Sequence, residues 1–170
     1  MSTVHFNHIG LSVPDISAAV TWYTTIFPAL RLLRPILHVQ RPHFPGAPIF
    51  RVFDGSLHDF KLAWLGSGPG HAVGLELFEF VEPCCKPAEG GPELDYARRG
   101  VFHFAMTVED PEKICAHVIE QGGCKMGETV AMPGGQTVVY VRDPWGNAIE
   151  LVTTGFEEMV MNGGGEKHKQ

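Results

Sequence analysis

The sequence has no long hydrophobic run and no excess of basic residues. None of its 170 residues belongs to a stretch of about 18 consecutive apolar residues, the least that a membrane helix needs. Lysine and arginine number 13 against 19 acidic residues, so the net charge is −6 with histidine neutral, and no basic stripe is present. We therefore expect neither a membrane nor a nucleic-acid partner.

Cysteine is scarce, and the four cysteines do not form a spaced metal-binding motif. Cys84 and Cys85 are adjacent, Cys115 and Cys124 lie apart, and no CxxC occurs. The first residues, MSTVHFNHIG, lack the basic segment followed by an apolar one that is typical of a secretion signal. Because disulfides persist mainly in oxidising compartments, we expect reduced cysteines and a cytoplasmic protein.

Two short segments repeat one pattern. Residues 6–13 read FNHIGLSV and residues 101–108 read VFHFAMTV; each ends in valine and is followed two residues later by an aspartate, Asp15 or Asp110. Each segment has the β-branched and aromatic residues of a strand, and each aspartate is a good helix N-cap. The repeat indicates two related halves that each begin with a strand and a helix.

Further strands are predicted after each helix. In chain order they are Leu30–Val39, Ile49–Phe53, Phe60–Leu65, Ala72–Val81, Lys125–Ala131, Thr137–Arg142 and Ala148–Thr153. The polar, Pro- and Gly-rich stretch 83–100 is expected to join the halves. We predict an α+β protein with a first domain at 1–99, a second at 100–156 and a disordered tail at 157–170.

The histidine of each first strand shares its face with two small residues. These faces carry His8, Gly10 and Ser12 in the first half and His103, Ala105 and Thr107 in the second. The opposite faces are bulky and apolar, so we expect them to pack on the helices. A single histidine in a strand is more often structural, but two in matching positions favour a concave binding surface.

Two apolar strands each contain a carboxylate, Glu76 in GLELFEF (74–80) and Glu150 in NAIELV (147–152). A charge among apolar neighbours is costly unless it has a partner. Each half thus supplies one histidine and one glutamate. Glu79 lies on the other face of its strand and is interpreted as structural or solvent-facing.

Two imidazoles and two carboxylates suit one divalent metal ion, such as Zn, Ni, Co, Mn or Fe(II), with one or two positions left for water or substrate. The predicted ligands are His8, Glu76, His103 and Glu150.

The motifs HIGLSVPD…WY, LELFEF, HFAMTV and DPWGNAIEL resemble the vicinal oxygen chelate superfamily over about residues 4–154. This superfamily includes glyoxalase I, methylmalonyl-CoA epimerase, extradiol dioxygenases and the fosfomycin and bleomycin resistance proteins. The resemblance implies two βαβββ modules whose strands form a half-open, curved, eight-stranded sheet around the metal. It also implies that the four predicted ligands match the ligand positions of glyoxalase I.

The resemblance implies a chemistry as well. The metal would chelate two neighbouring oxygens of a small-molecule substrate, and Glu150 or Glu76 would move a carbon-bound proton through an enolate-like intermediate. We therefore expect a metal-dependent lyase or isomerase that forms a homodimer. Two alternatives stay open: a non-haem Fe(II) ring-cleaving dioxygenase that does not use Glu76, and a non-catalytic binding or resistance protein.

The substrate pocket is expected to be apolar on one side. After LEL, glyoxalase I typically continues with a polar segment that helps to hold glutathione, whereas this chain continues FEFVEP. Phe78 and Phe80 share the face of Glu76, which favours a hydrophobic or aromatic metabolite over a glutathione adduct. Arg41 and His43, in the Pro-rich loop RPHFPGAP (41–48), are candidates for binding a substrate carboxylate.

Overall fold

The chain forms two α+β units, each with its own sheet. The computed structural model describes residues 4–53, 55–68, 73–87, 99–132 and 134–163. Contacts divide the chain into Met1–Pro87 and Ala88–Gln170. The predicted α+β class with modules of the βαβββ type is confirmed, but the described residues form nine strands, in a five-stranded and a four-stranded sheet, where eight strands were predicted. The predicted domain boundary at residue 99 adjoins residues 88–98, which lie outside the described residues, and it stays a prediction.

The described residues of the first unit form five strands and two helices. These are β1 (His8–Ser12), α1 (Ile16–Ile26), β2 (Arg31–Leu32), β3 (Leu37–Gln40), α2 (Ile49–Val52), β4 (Asp59–Gly66) and β5 (Gly74–Glu82). Strand β1 pairs in parallel with β5, and β4 pairs antiparallel with β5, β2 and β3. The last strand of the unit therefore lies between its first strand and β4.

The described residues of the second unit also begin with a strand and a helix, followed by three strands and a last helix. They form β6 (Phe104–Thr107), α3 (Pro111–Glu120), β7 (Cys124–Ala131), β8 (Thr137–Arg142), β9 (Ala148–Val152) and α4 (Phe156–Gly163). The sheet order is β6-β9-β8-β7, with β6 parallel to β9 and the other neighbours antiparallel. As in the first unit, the last strand of the sheet pairs with the first.

Both predicted helix caps are present. The carboxylate of Asp15 accepts a hydrogen bond from the backbone N–H of Ala18 at 2.9 Å, and that of Asp110 accepts from Lys113 N–H at 3.0 Å. Each cap satisfies an N–H that the first turn leaves without an intrahelical partner. The caps fix where each helix leaves its first strand, and this places α1 and α3 over the bulky face of their own sheets.

The apolar core of each unit lies between its helix and its sheet. In the first unit the fully or nearly fully buried side chains include Val13, Ile16, Ala19, Tyr23, Ile26, Ala63, Leu65 and Leu77. In the second they include Cys115, Val118, Val139, Val141, Ile149 and Leu151. All these strand residues belong to the faces opposite the histidines. On the histidine face of the first sheet, a second buried cluster forms around Phe60 and Leu62.

Two strand predictions in the first unit are corrected. The sequence predicts a strand over Ile49–Phe53, but Ile49–Val52 form the short helix α2. A short apolar run fits either periodicity, and here the helical turn buries Phe50 against the sheet. Leu30–Val39 is divided into β2 and β3, because Pro35 between them has no N–H to donate to a strand ladder.

The predicted disordered tail is wrong for its first part. Helix α4 covers residues 156–163, and residues 164–170 lie outside the described residues. Its side chains Phe156 and Met161 are exposed. The helix therefore has no apolar stripe packed on a core, which is the pattern that predicts a helix from sequence. In the described parts of the chain, no helix combines the length and the apolar character needed to cross a membrane.

Candidate metal centre

The first unit places a histidine beside a carboxylate. His8 begins β1, two residues before Gly10, and Gly10 is the register partner of Glu76 on β5. His8 and Glu76 therefore lie on one face, with Nε2 of His8 3.3 Å from Oε2 of Glu76. A Cβ added at Gly10 would meet no atom within 4 Å, so this small residue leaves open space beside the pair.

The second unit builds the same pair. His103 directly precedes β6, two residues before Ala105, and Ala105 is the register partner of Glu150 on β9. Nε2 of His103 lies 3.1 Å from Oε2 of Glu150. This pair is less exposed: the side chains of His103 and Glu150 are 22% and 14% exposed, against 50% for His8.

The orientation of the His8 ring is set by its neighbour. Nδ1 of His8 lies 2.6 Å from Oδ1 of Asn7, while Nε2 faces Glu76. A neutral imidazole has one N–H and can donate to only one of these two oxygens. If Nδ1 donates to Asn7, the lone pair of Nε2 faces the carboxylate, and a cation between them relieves the contact. Nδ1 of His103 is buried and has no hydrogen-bond partner among the described residues.

Each carboxylate is also held by an aromatic side chain from the neighbouring strand. Trp64 on β4 is the register partner of Glu76, and its indole N–H donates to Oε1 of Glu76 at 2.9 Å. Tyr140 on β8 is the register partner of Glu150, and the two side chains are hydrogen-bonded. Burial raises the pKa of the Tyr140 phenol to about 12, and the nearby charge of Glu150 and its hydrogen bond add to the rise.

The two pairs fit a divalent metal ion by donor chemistry and by spacing. Imidazole nitrogen and carboxylate oxygen are ordinary ligands of such ions. Two ligand atoms about 2.1 Å from one ion and about 90–110° apart lie roughly 3.0–3.4 Å from each other. The observed separations of 3.3 Å and 3.1 Å are those of direct histidine–carboxylate pairs, and both also fall in that range.

The structure gives two pairs and not one cluster of four. Among the described residues, no group of three or more His, Cys, Asp or Glu side chains lies together as a metal site. The predicted four-ligand set, in which both pairs bind one ion, therefore remains a proposal. The catalytic roles predicted for Glu76 and Glu150 likewise remain proposals.

Phe78 and Phe80 lie where strand parity places them. They follow Glu76 along one face of β5 and stack on each other with ring centroids 5.4 Å apart. Both are half-buried against a cluster formed by Val39, Phe50, Leu57, Phe60 and Leu62. On the same face, an apolar cavity of about 380 Å³ is lined by Leu37, Val39, Phe44, Gly46 and Ala47.

The two basic candidates of the Pro-rich loop differ. Nε of Arg41 donates to the backbone carbonyl of Leu57 at 2.9 Å, and its guanidinium lies over the Phe50 ring, 4.4 Å from the centroid. Arg41 thus ties the loop to the cluster beneath it. His43 is exposed. Substrate binding by either residue stays a prediction.

Glu79 is structural, as the sequence indicates. Its Oε2 accepts from the backbone N–H of Ile16 at the start of α1, and its Oε1 accepts from Nζ of Lys61 at 2.7 Å. It therefore stabilises the helix side of the sheet, on the face opposite Glu76.

Sequence reasoning missed Asn7, Trp64 and Tyr140. Parity assigned Glu76 and Glu150 to a face within their own strands, but it gives no register between strands. The available signal was an aromatic residue with a polar group, tryptophan or tyrosine, in the strand before the one that contains each glutamate. That signal becomes specific only once the strand pairing is known.

Two βαβββ units that each present a histidine and a glutamate on the face away from the helix define a glyoxalase-like class of protein. The family model of the Glyoxalase/Bleomycin resistance protein/Dioxygenase superfamily matches residues 5–151. The chain therefore belongs to this superfamily, and the resemblance stated from its motifs is confirmed.

Individual relatives agree with this assignment at low identity. The lactoylglutathione lyase of Salmonella typhimurium is 22% identical over 147 residues, which cover 85% of this chain and 89% of that protein. The lactoylglutathione lyase GLX1 of Arabidopsis thaliana is 26% identical over 151 residues, covering 88% of this chain and 44% of that protein. A glyoxalase family protein from Bacillus cereus superposes with a TM-score of 0.72 at 20% identity, covering 89% of this chain and 95% of that one. The structural likeness establishes the shared fold.

Proposed function

We propose that the protein is a divalent-metal-dependent lyase or isomerase of glyoxalase type. The observation that carries this proposal is the repeated pair, His8 with Glu76 and His103 with Glu150, at 3.3 Å and 3.1 Å. In the proposed site the two pairs hold one ion of Zn, Ni, Co, Mn or Fe. The bound ion supplies Lewis-acid polarisation of two neighbouring oxygens of the substrate.

The two carboxylates move the proton. Glu76 and Glu150 come from different units, and the proposal assigns a proton-transfer role to each. One takes the proton from a carbon next to a carbonyl group, and the other returns a proton to the neighbouring atom or to the opposite face. A pair of bases of this kind supports isomerisation, epimerisation or a glyoxalase-type lyase reaction run in either direction.

The proposed substrate is a small hydrophobic or aromatic metabolite with two adjacent oxygens. Phe78 and Phe80 make the strand beyond Glu76 apolar, and the cavity of about 380 Å³ on the same face is lined by apolar groups. Two relatives are named lactoylglutathione lyases, which supports a lyase-type reaction. The apolar lining favours a substrate without the polar glutathione group.

Metal content and proton exchange test the proposal. Protein purified without chelator should contain a divalent ion, or should bind one on titration. With a 2-oxo or 2-hydroxy carbonyl substrate in deuterated water, the carbon next to the carbonyl should exchange its proton, as followed by nuclear magnetic resonance. Absence of any metal binding overturns the proposal. Oxygen consumption with catechols and no proton exchange would instead support ring-cleaving dioxygenase activity.

We also propose a homodimer, and mixing two inactive variants tests whether a site is shared between chains. In Glu76→Ala every first unit is defective, and in Glu150→Ala every second unit is defective. If each site joins units of different chains, mixed dimers contain one intact site, and random exchange restores the wild-type metal affinity to about a quarter of all sites. If each site lies within one chain, mixing restores none.

A further inference from the structure

We infer that Trp64 and Tyr140 are matched positioning residues that turn Glu76 and Glu150 toward the metal. The inference rests on the proposed function. Each carboxylate can rotate about its side-chain bonds and can bind an ion through one oxygen or both. A fixed donor on one oxygen removes that freedom.

In the first unit the two oxygens of Glu76 have different partners. Oε1 accepts from the indole N–H of Trp64 at 2.9 Å, and Oε2 faces Nε2 of His8 at 3.3 Å. An indole N–H can donate but cannot accept, and it carries no dissociable proton at working pH. Trp64 therefore holds Oε1 and leaves Oε2 as the oxygen available to a metal beside His8.

The Trp64 ring is itself held in place. The guanidinium of Arg34 lies over it, 4.9 Å from the ring centroid, and the half-buried indole packs against the apolar cluster of the first sheet. A cation over an aromatic face is attractive. The indole N–H of Trp64 is thus held in position by the packing of its ring.

In the second unit Tyr140 takes the same position. It lies directly opposite Glu150 and is hydrogen-bonded to it, while Oε2 of Glu150 faces Nε2 of His103 at 3.1 Å. The Tyr140 ring also meets the His103 ring edge to face, with centroids 5.2 Å apart and planes at 77°. Tyr140 therefore restrains both members of its pair.

Trp64 and Tyr140 occupy equivalent positions in the two units. In both units the glutamate is on the last strand, and its register partner on the strand before is an aromatic residue with a single polar hydrogen-bonding group. The aromatic residues differ in type, tryptophan and tyrosine, so the shared feature is the donor at that position. A purely space-filling role would be met by phenylalanine, which the chain uses on the same face at Phe60, Phe78 and Phe80.

Trp64→Phe and Tyr140→Phe test the inference, since each removes the donor and keeps a ring. The probe is Co²⁺ bound to the whole chain, measured by its dissociation constant and by the visible absorption spectrum, which reports the coordination geometry. We expect each variant to bind Co²⁺ about 10- to 100-fold more weakly and to show a changed spectrum. Unfolding curves of the metal-free variants record any change in stability separately.

Matched controls are Trp22→Phe and Tyr23→Phe, both in α1 on the opposite side of the first sheet. They remove the same donor types from the core, so we expect lower stability with unchanged Co²⁺ affinity and spectrum. In a Glu76→Ala background, Trp64→Phe should cause no further loss of affinity, whereas Tyr140→Phe should still weaken binding.

The outcomes separate this inference from the function on which it rests. Wild-type protein that binds no Co²⁺ overturns both. Wild-type binding together with unchanged affinity and spectrum in Trp64→Phe and Tyr140→Phe overturns the positioning role and leaves the proposed function standing. Equal losses of affinity in the α1 controls would show a general structural effect and would also overturn the positioning role.

Discussion

Glu76 and Glu79 are three residues apart on β5 and lie on opposite faces of the strand, so we expect them to have different roles. We expect Glu76→Gln to weaken metal binding by more than about 10-fold, since loss of even an outer partner of a ligand costs that much. We expect Glu79→Gln to leave metal affinity unchanged and to lower the free energy of unfolding by about 1–3 kcal/mol, because it loses charge-assisted hydrogen bonds to Ile16 and Lys61.

Metal titration and urea unfolding of both variants check this prediction. The two changes are chemically identical, so each variant serves as the control for the other. Weaker metal binding in Glu79→Gln than in Glu76→Gln would contradict the assignment of faces.

At the residue scale, the sequence predicts the pair members but not their partners. Parity alone places His8, Glu76, His103 and Glu150 on open faces, since side chains alternate along a strand. It cannot predict Trp64 or Tyr140, because a cross-strand contact depends on register, and register follows from turns and packing across the whole sheet.

At the scale of elements, Asp59 fastens the edge strand β3 to β4. Its two oxygens accept from Nε2 of His38 and from Nε2 of Gln40, each at 2.7 Å. Burial raises the pKa of Asp59, but the hydrogen bonds from Gln40 and His38 and the charges of His38 and Lys61 bring it below the ordinary value of 3.8. A lowered pKa in the folded state contributes stability above the unfolded pKa, and that stability is lost as the pH falls.

We therefore expect Asp59→Asn to lower the free energy of unfolding by about 1 kcal/mol at neutral pH. The difference from wild type should shrink below about pH 4, where the wild-type carboxylate takes up its proton. Urea unfolding across that pH range measures it. Glu128→Gln, an exposed carboxylate on β7, is the control and should follow wild type. A difference that stays constant down to about pH 2 would count against the carboxylate as its source.

The turn from α3 to β7 depends on a glycine for space. A Cβ at Gly123 would lie against the backbone carbonyl oxygen of Arg142 and 2.6 Å from Cγ1 of Val118. We expect Gly123→Ala to destabilise the protein by about 1–3 kcal/mol, the usual cost of overpacking. Gly10→Ala, where an added Cβ meets no atom within 4 Å, should stay within about 0.5 kcal/mol of wild type. Thermal unfolding compares the two, and equal losses would contradict the account.

The elements also show where sequence patterns stop being decisive. The helices α1 and α3 follow from caps and long apolar periodicity, which leave little choice. The run Ile49–Phe53 is too short for a period to be read, and the helix α2 forms because its turn buries Phe50 beside Phe60. Tertiary packing therefore determines that this segment is helical, and the neighbouring sequence contains no signal of that packing.

At the scale of the whole molecule, the repeated motif is enough to indicate two related units from the amino-acid sequence alone. The paired motifs predict two modules of one kind, and the sheets β1-β5-β4 and β6-β9-β8 confirm matching pairings within each unit. Whether the two pairs bind one metal ion depends on how the units assemble, and strand periodicity contains no information about that assembly.

Metal stoichiometry gives the decisive prediction at this scale. If the two pairs hold one ion together, wild-type protein binds one ion per chain, and removing either pair abolishes tight binding. We therefore expect both double variants, His8→Ala with Glu76→Ala and His103→Ala with Glu150→Ala, to lose high-affinity Co²⁺ binding in equilibrium dialysis. Two independent half-sites would instead give two ions per chain, with one ion retained in each double variant. Because a two-ligand site binds far more weakly than a four-ligand site, the dissociation constants as well as the counts distinguish the two cases.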